Sequence, residues 1–259
     1  MTVSVDTTTT STRTNTDTTI NFTHAGGTNG PYGTGLKGVV VIFTVTGSNA
    51  DDISTVTYAG NTMTRICRGT ADSGGGTEPG SAVVYFLGSQ VGDVPEGSQT
   101  VSYTLGTATT DDYFVTCTTL FGIGNLEIQS SNTYSGPAIS NPTLLLQTGG
   151  NNCLGFCGFY SGLNAPPSAP GDTTSLGSID FGTQSGLIVR QTTASTTDFT
   201  FSFTSALDDV ALAGITIREH PIQIYTKADG TWYPAALNVY ATGWKTAAPF
   251  VKINGRWIS

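Results

Sequence analysis

The chain has 259 residues, including 33 glycines and 46 threonines, and only 11% of it is charged, against about 25% in an ordinary globular domain. Ten Lys plus Arg cannot supply long helices, which draw on Ala, Leu, Glu, Lys and Arg, and aromatic residues at 10% argue against a disordered chain. The net charge of −8 excludes a nucleic-acid binder, because phosphate contacts need clustered Lys or Arg, and Arg13, Arg65, Arg68, Arg190, Arg218 and Arg256 are scattered.

Short apolar runs separated by Gly, Asn, Asp, Pro and Ser predict an all-β protein. In chain order the expected strands are 3–8, 18–24, 36–46, 53–58, 62–67, 82–87, 99–105 and 113–121, then 143–147, 153–160, 175–181, 187–193, 199–203 and 210–217. The Thr run from Thr7 to Thr19 is expected as an ordered edge strand turning near 13–15, because Thr at alternating positions suits cross-strand pairing. Tyr58-Ala59-Gly60-Asn61 reads as a tight hairpin turn. Long loops are expected at 25–35, 69–80 and 164–172, where Gly and Pro accumulate without an apolar period. The fold expected for residues 1–219 is an antiparallel β-sandwich of jelly-roll type.

No apolar run reaches the roughly 18–20 residues of a membrane span; the longest, 39–43, has strand length. The first residues lack a basic and an apolar region, so the expectation is synthesis in the host cytoplasm without a signal peptide. Cys153 and Cys157 lie four apart, roughly 13 Å along an extended strand, too far for a disulfide. Buried free thiols are therefore expected for them and for Cys67 and Cys117.

Little in the sequence suggests catalysis. His24 and His220 are the only imidazoles, and neither stands in a recognisable nucleophile context, so His24 is expected to be a hydrogen-bonded structural residue. Asp51-Asp52, Asp111-Asp112 and Asp208-Asp209 each precede an expected strand. Were those strands to run the same way, the carboxylates would meet at one end. There they could ligate Ca²⁺ or simply keep the sheet ends solvated. No enzyme activity, cofactor or metal is expected.

After His220-Pro221 the texture changes. Three units of 11–13 residues each carry an aromatic, a polar stretch, a Gly and a Trp: Tyr225 to Trp232, Tyr240 to Trp244, and Phe250 to Trp257. All three Trp and three of the four Lys lie here. Asp229-Gly230 and Asn254-Gly255 are hairpin-turn pairs, so a tail of short β-hairpin repeats is expected at 220–259. So small a segment rarely holds a core alone, and its aromatics Tyr225, Trp232, Tyr240, Trp244, Phe250 and Trp257 are expected to dock on a partner.

These repeats resemble the aromatic, Lys, Gly, Trp repeats near the C-termini of phage tail and other virion structural proteins. The stretch Ile53 to Arg65, with Ala82 to Leu87, is similar to a β-sandwich module of phage particle proteins. The resemblance implies a non-enzymatic virion subunit, either a capsid-surface decoration or a tail or fibre-attachment component. Its implied partners are other virion proteins and its own copies, not nucleic acid or membrane. The alternative is a host-adhesion or carbohydrate-binding module, with glycan rings stacking on Trp244, Tyr32 or Tyr160.

Overall fold

The computed structural model describes residues 3–13, 16–28, 35–47, 52–71, 79–88, 94–107, 109–122, 125–148, 153–163, 166–193, 198–206 and 208–219. Beyond them it describes 224–228, 231–235, 238–240, 244–246, 251–253 and 256–258 through their backbone pairing. The elements are all strands, paired antiparallel. The chain divides into two compact units, Met1–Glu219 and His220–Ser259.

The first half of the larger unit holds β1 (Ser4–Arg13), β2 (Thr19–Gly26), β3 (Leu36–Thr46), β4 (Ile53–Tyr58), β5 (Asn61–Thr62), β6 (Thr64–Ala71), β7 (Gly80–Gly88), β8 (Gly97–Leu105) and β9 (Tyr113–Phe121). They form a five-stranded sheet in the order β1-β9-β3-β7-β6 and a four-stranded sheet in the order β2-β8-β4-β5. The second half holds β10 (Leu126–Ile139), β11 (Thr143–Leu146), β12 (Cys153–Ser161), β13 (Thr174–Asp180), β14 (Ser185–Thr193), β15 (Phe199–Ser202) and β16 (Asp208–Glu219). Its five-stranded sheet runs β10-β16-β12-β14-β13, beside the ribbon β11-β15, which the bridge Ser168↔Thr204 extends.

Side chains alternate between the faces of a strand, and β3 buries both. Val39, Val41, Phe43 and Val45 pack with Val56 and Tyr58 of β4 and Tyr103 of β8. Val40 and Ile42 pack instead with Phe156, Ile188 and Ile215 of the second half. β12 repeats the device: Leu154 and Phe156 join that inner core, while Cys157 and Phe159 face Leu144, Leu146, Phe199 and Phe201 of the ribbon. Three apolar cores thus separate four successive layers.

Both halves follow one plan. Reading β1, β9, β3, β7 and β6 as β10, β16, β12, β14 and β13 reproduces the strand order of the large sheet. The β2-β8 pair corresponds to β11-β15, and β4 corresponds to the Ser168 bridge. The irregularities match too. β6 bulges against β7 between Arg65 and Cys67, and β13 bulges against β14 between Ser175 and Gly177. β1 shifts register after Val5 opposite Leu120, and β10 after Ile128 opposite Ile217.

Several expectations need correcting. The strand expected at 62–67 is interrupted at Met63, where the chain leaves β4's sheet for β7's; Met63 is buried in the core between the two sheets. No strand was expected between 121 and 143, yet β10 is 14 residues long. Its polar sequence suits an edge strand. The Thr run does not pair with itself: β1 pairs with β9 and β2 with β8, so its Thr–Thr pairs form with β9, as in Thr8 Oγ1 to Thr118 Oγ1 at 2.9 Å, and with β8, where Thr19 lies opposite Thr104. The turn at 58–61 forms as expected, with Ala59 and Gly60 at positive φ values of 51° and 80°. The loop expected at 69–80 starts late, since β6 continues to Ala71.

In the smaller unit β17 (Ile224–Ala228) pairs with β18 (Thr231–Ala235), β19 (Asn238–Tyr240) with β20 (Trp244–Thr246), and β21 (Val251–Ile253) with β22 (Arg256–Ile258).

Candidate functional site

Pairing in the smaller unit places the candidate docking residues along short ribbons. Tyr225 stands opposite Pro234, and Trp232 opposite Lys227. Tyr240 is opposite Trp244, and Trp257 opposite Lys252. Ala228 pairs with Thr231 across Asp229-Gly230, and Ile253 with Arg256 across Asn254-Gly255. These are the two-residue spacings that Asp-Gly and Asn-Gly favour. Phe250, His220, Tyr32 and Asp51 lie outside the described residues.

Each of the other two Asp pairs opens a strand of the larger unit. Asp111-Asp112 lead into β9 and Asp208-Asp209 open β16. The Pro79 carbonyl accepts from Gly47 N at 2.8 Å and from Tyr160 Oη at 3.0 Å, joining the end of β3 to β12. A glycine makes room for each pair. A methyl group at Gly47 would lie 1.9 Å from Asp111 Oδ1, and one at Gly162 would lie 2.6 Å from Asp208 Oδ2. These acids close loops: Asp112 N donates to Thr46 Oγ1 at 2.8 Å, Thr107 Oγ1 to Asp52 Oδ2 at 2.6 Å, and Ser161 Oγ to Asp208 Oδ2 at 3.4 Å. Burial raises the Asp112 carboxyl, against the lowering pull of Arg13, and burial raises Asp208 as well. Among the described residues no group of three His, Cys, Asp or Glu is arranged to hold a metal ion.

Arg13 is the residue that sequence reading missed. It is only 2% exposed, and its guanidinium donates to the carbonyls of Asp111 at 2.7 Å, Thr109 at 2.9 Å and Asp17 at 3.1 Å. It also lies 5.2 Å from the Tyr113 ring centroid, a cation–π distance. No sequence signal marks it, because it is one scattered Arg inside a Thr run.

His24 is fully buried and hydrogen-bonded, as expected. Its Nε2 is 3.1 Å from Thr119 Oγ1, and its Nδ1 is 2.9 Å from Thr9 Oγ1. Thr119 donates to Asp6 Oδ2 at 2.8 Å, so its oxygen is left to accept from Nε2–H while Nδ1 accepts from Thr9. Burial lowers the imidazole pKa and Asp6 opposes the shift. This arrangement ties β1, β2 and β9 together and leaves no room for a substrate at the ring.

All four cysteines are free. Cys153 and Cys157 share one face of β12 in the third core. Cys67 Sγ donates to the Gly214 carbonyl at 3.4 Å, and burial pushes its thiol up to about 12. A half-open cleft of about 480 Å³ lies where the chain crosses sheets, with Val56 and Met63 in its floor and Ser54, Thr62 and Arg65 at its rim. Tyr160, expected beside a loop as a glycan platform, is instead fully buried; its ring packs against Gly80, which removes it as a sugar contact.

Compared with known proteins, the chain matches no protein-family model, no curated protein and no solved structure.

Proposed function

We propose that the protein is a non-enzymatic structural subunit of a phage virion, a capsid-surface decoration or a tail or fibre-attachment component. Residues 220–259 attach it to other virion proteins or to its own copies. The observation that carries the reading is the smaller unit itself: three successive short strand pairs, each with one of the chain's three Trp. An isolated two-stranded ribbon is marginal in water, so ribbons this short gain stability by burying their aromatics on another surface.

The larger unit is read as a pair of jelly rolls. The order β1-β9-β3-β7 beside β2-β8-β4-β5 supports this, since a jelly roll distributes eight strands over two sheets in such an interleaved order. Jelly rolls recur in viral capsid and lectin domains. The glycan-binding alternative has lost Tyr160 to the core.

The test compares the full chain with one ending at Glu219, each added to particles lacking the protein. The shorter chain is expected to stay folded and to fail to co-sediment with particles, and Trp232→Ala with Trp257→Ala in the full chain is expected to weaken co-sedimentation. Normal occupancy by the shorter chain would overturn the docking role.

A further inference from the structure

The shared plan of the two halves extends to the way they meet. Val45 lies opposite Tyr113 and Ser81, and Ser161 lies opposite Val210 and Ser185. Tyr113 and Val210 each follow an Asp-Asp pair, so Val45 and Ser161 occupy equivalent places. Counting back along both uninterrupted strands makes Ile42 the counterpart of Gly158, and Thr44 that of Tyr160. Ile42 and Gly158 face one another. A methyl group added at Gly158 would lie 2.8 Å from Ile42 Cγ2. Thr44 and Tyr160 each lie against a glycine of the opposite half: methyl groups at Gly186 and Gly80 would fall 2.2 Å from Thr44 Oγ1 and 2.0 Å from Tyr160 Cζ.

The sheet edges obey the same exchange. Cys67 of β6 donates to Gly214 of β16. Its counterpart in β13 is Gly177, which follows the equivalent bulge, and a methyl group there would lie 2.7 Å from Phe114 of β9. At the level of strands, β6 meets β16 as β13 meets β9, and β7 meets β12 as β14 meets β3. That is the contact rule of an isologous two-fold interface.

We propose that the chain is two copies of one fold fused in tandem. The face of β1-β9-β3-β7-β6 around Ile42 is then a docking surface for a second copy of that fold, supplied here by residues 126–219. The halves have specialised for each other. Two first-half faces would bring Ile42 against Ile42, and two second-half faces would leave a gap at Gly158. Ile42 on Gly158 fits, so the pairing of unlike halves is the favoured one.

The test is made in the full chain. Gly158→Ile overfills the contact and Ile42→Gly empties it, and each alone is expected to lower Tm by about 5–10 °C. The double variant moves the large side chain to the equivalent place across the axis and is expected to recover at least half of the summed loss. A double variant that melts at or below the weaker single variant would overturn the equivalence. A second measurement covers failure of a single variant to fold. A protease site is inserted between the halves, beside the exposed Asn125, and cleavage is confirmed on a denaturing gel. The halves are expected to co-elute after the cut, and Ile42→Asp in the same protein is expected to release them. Spontaneous separation of the unsubstituted halves on cutting would equally overturn the proposal.

Discussion

Arg13 shows how much a single residue can carry in a chain this poor in charge. A guanidinium offers five donors in a fixed fork, which lets it serve three carbonyls from separate segments while its plane rests near Tyr113. Each buried carbonyl left without a donor costs about 1–3 kcal/mol. Arg13→Met is therefore expected to cost about 3 kcal/mol, a Tm loss of about 6–12 °C for a unit of this size. Arg13→Lys places one ammonium where a fork is needed and is expected to recover less than half of that. Calorimetry of the two variants checks this, and a Lys variant equal to the wild type would show that charge rather than geometry matters. None of it was legible beforehand, because three carbonyl acceptors have no residue-type signature. The cysteines were legible: spacing along an extended strand forbade Cys153 from reaching Cys157, and both thiols are free.

Among the elements, legibility followed burial. Strands covered on both faces, such as β3, β9 and β12, carry apolar residues at successive positions and announce themselves in sequence. β10 escaped because its residues from Ser130 to Thr133 are polar and only one of its neighbours, β16, pairs with it. The crossing at Met63 was equally hidden, since a strand that changes sheets looks locally like one that does not. β11 is the clearest case of half-buried alternation: Leu144 and Leu146 are 1% exposed, while Leu145 between them is 51% exposed. One face holds the third core and the other meets solvent. Leu144→Ala is expected to cost about 2–5 kcal/mol through the cavity it leaves, whereas Leu145→Thr should change stability by less than about 0.5 kcal/mol. Urea unfolding of both variants measures the difference. A one-residue slip of β11 against β15 would exchange the two results, because strand side chains have a period of two.

At the scale of the whole molecule, the sequence displayed the small repeat and concealed the large one. The tail repeats are carried by residue identities, Trp and Gly at regular intervals. The duplicated plan of residues 4–219 is carried by strand order and bulge positions, which tolerate nearly any apolar substitution, and only Asp111-Asp112 and Asp208-Asp209 mark it in sequence. The stacking of layers fixes where stability should concentrate. β3, β9, β12 and β16 are interior strands of the two large sheets, nearly all of their residues are buried, and they share the inner core. The sheet β2-β8-β4-β5 and the ribbon β11-β15 each cover a single core and have exposed positions on the other face. Amides exchange through the cheapest opening that frees them, and core strands approach the global unfolding free energy. These four strands are therefore expected to exchange with one common free energy, equal to that from urea unfolding, and the outer sheet and ribbon at lower values. If β3 and β9 instead opened at a free energy well below that of β12 and β16, the inner core would not be coupling the halves. The native unit would then be two independently stable bodies rather than one interlocked pair.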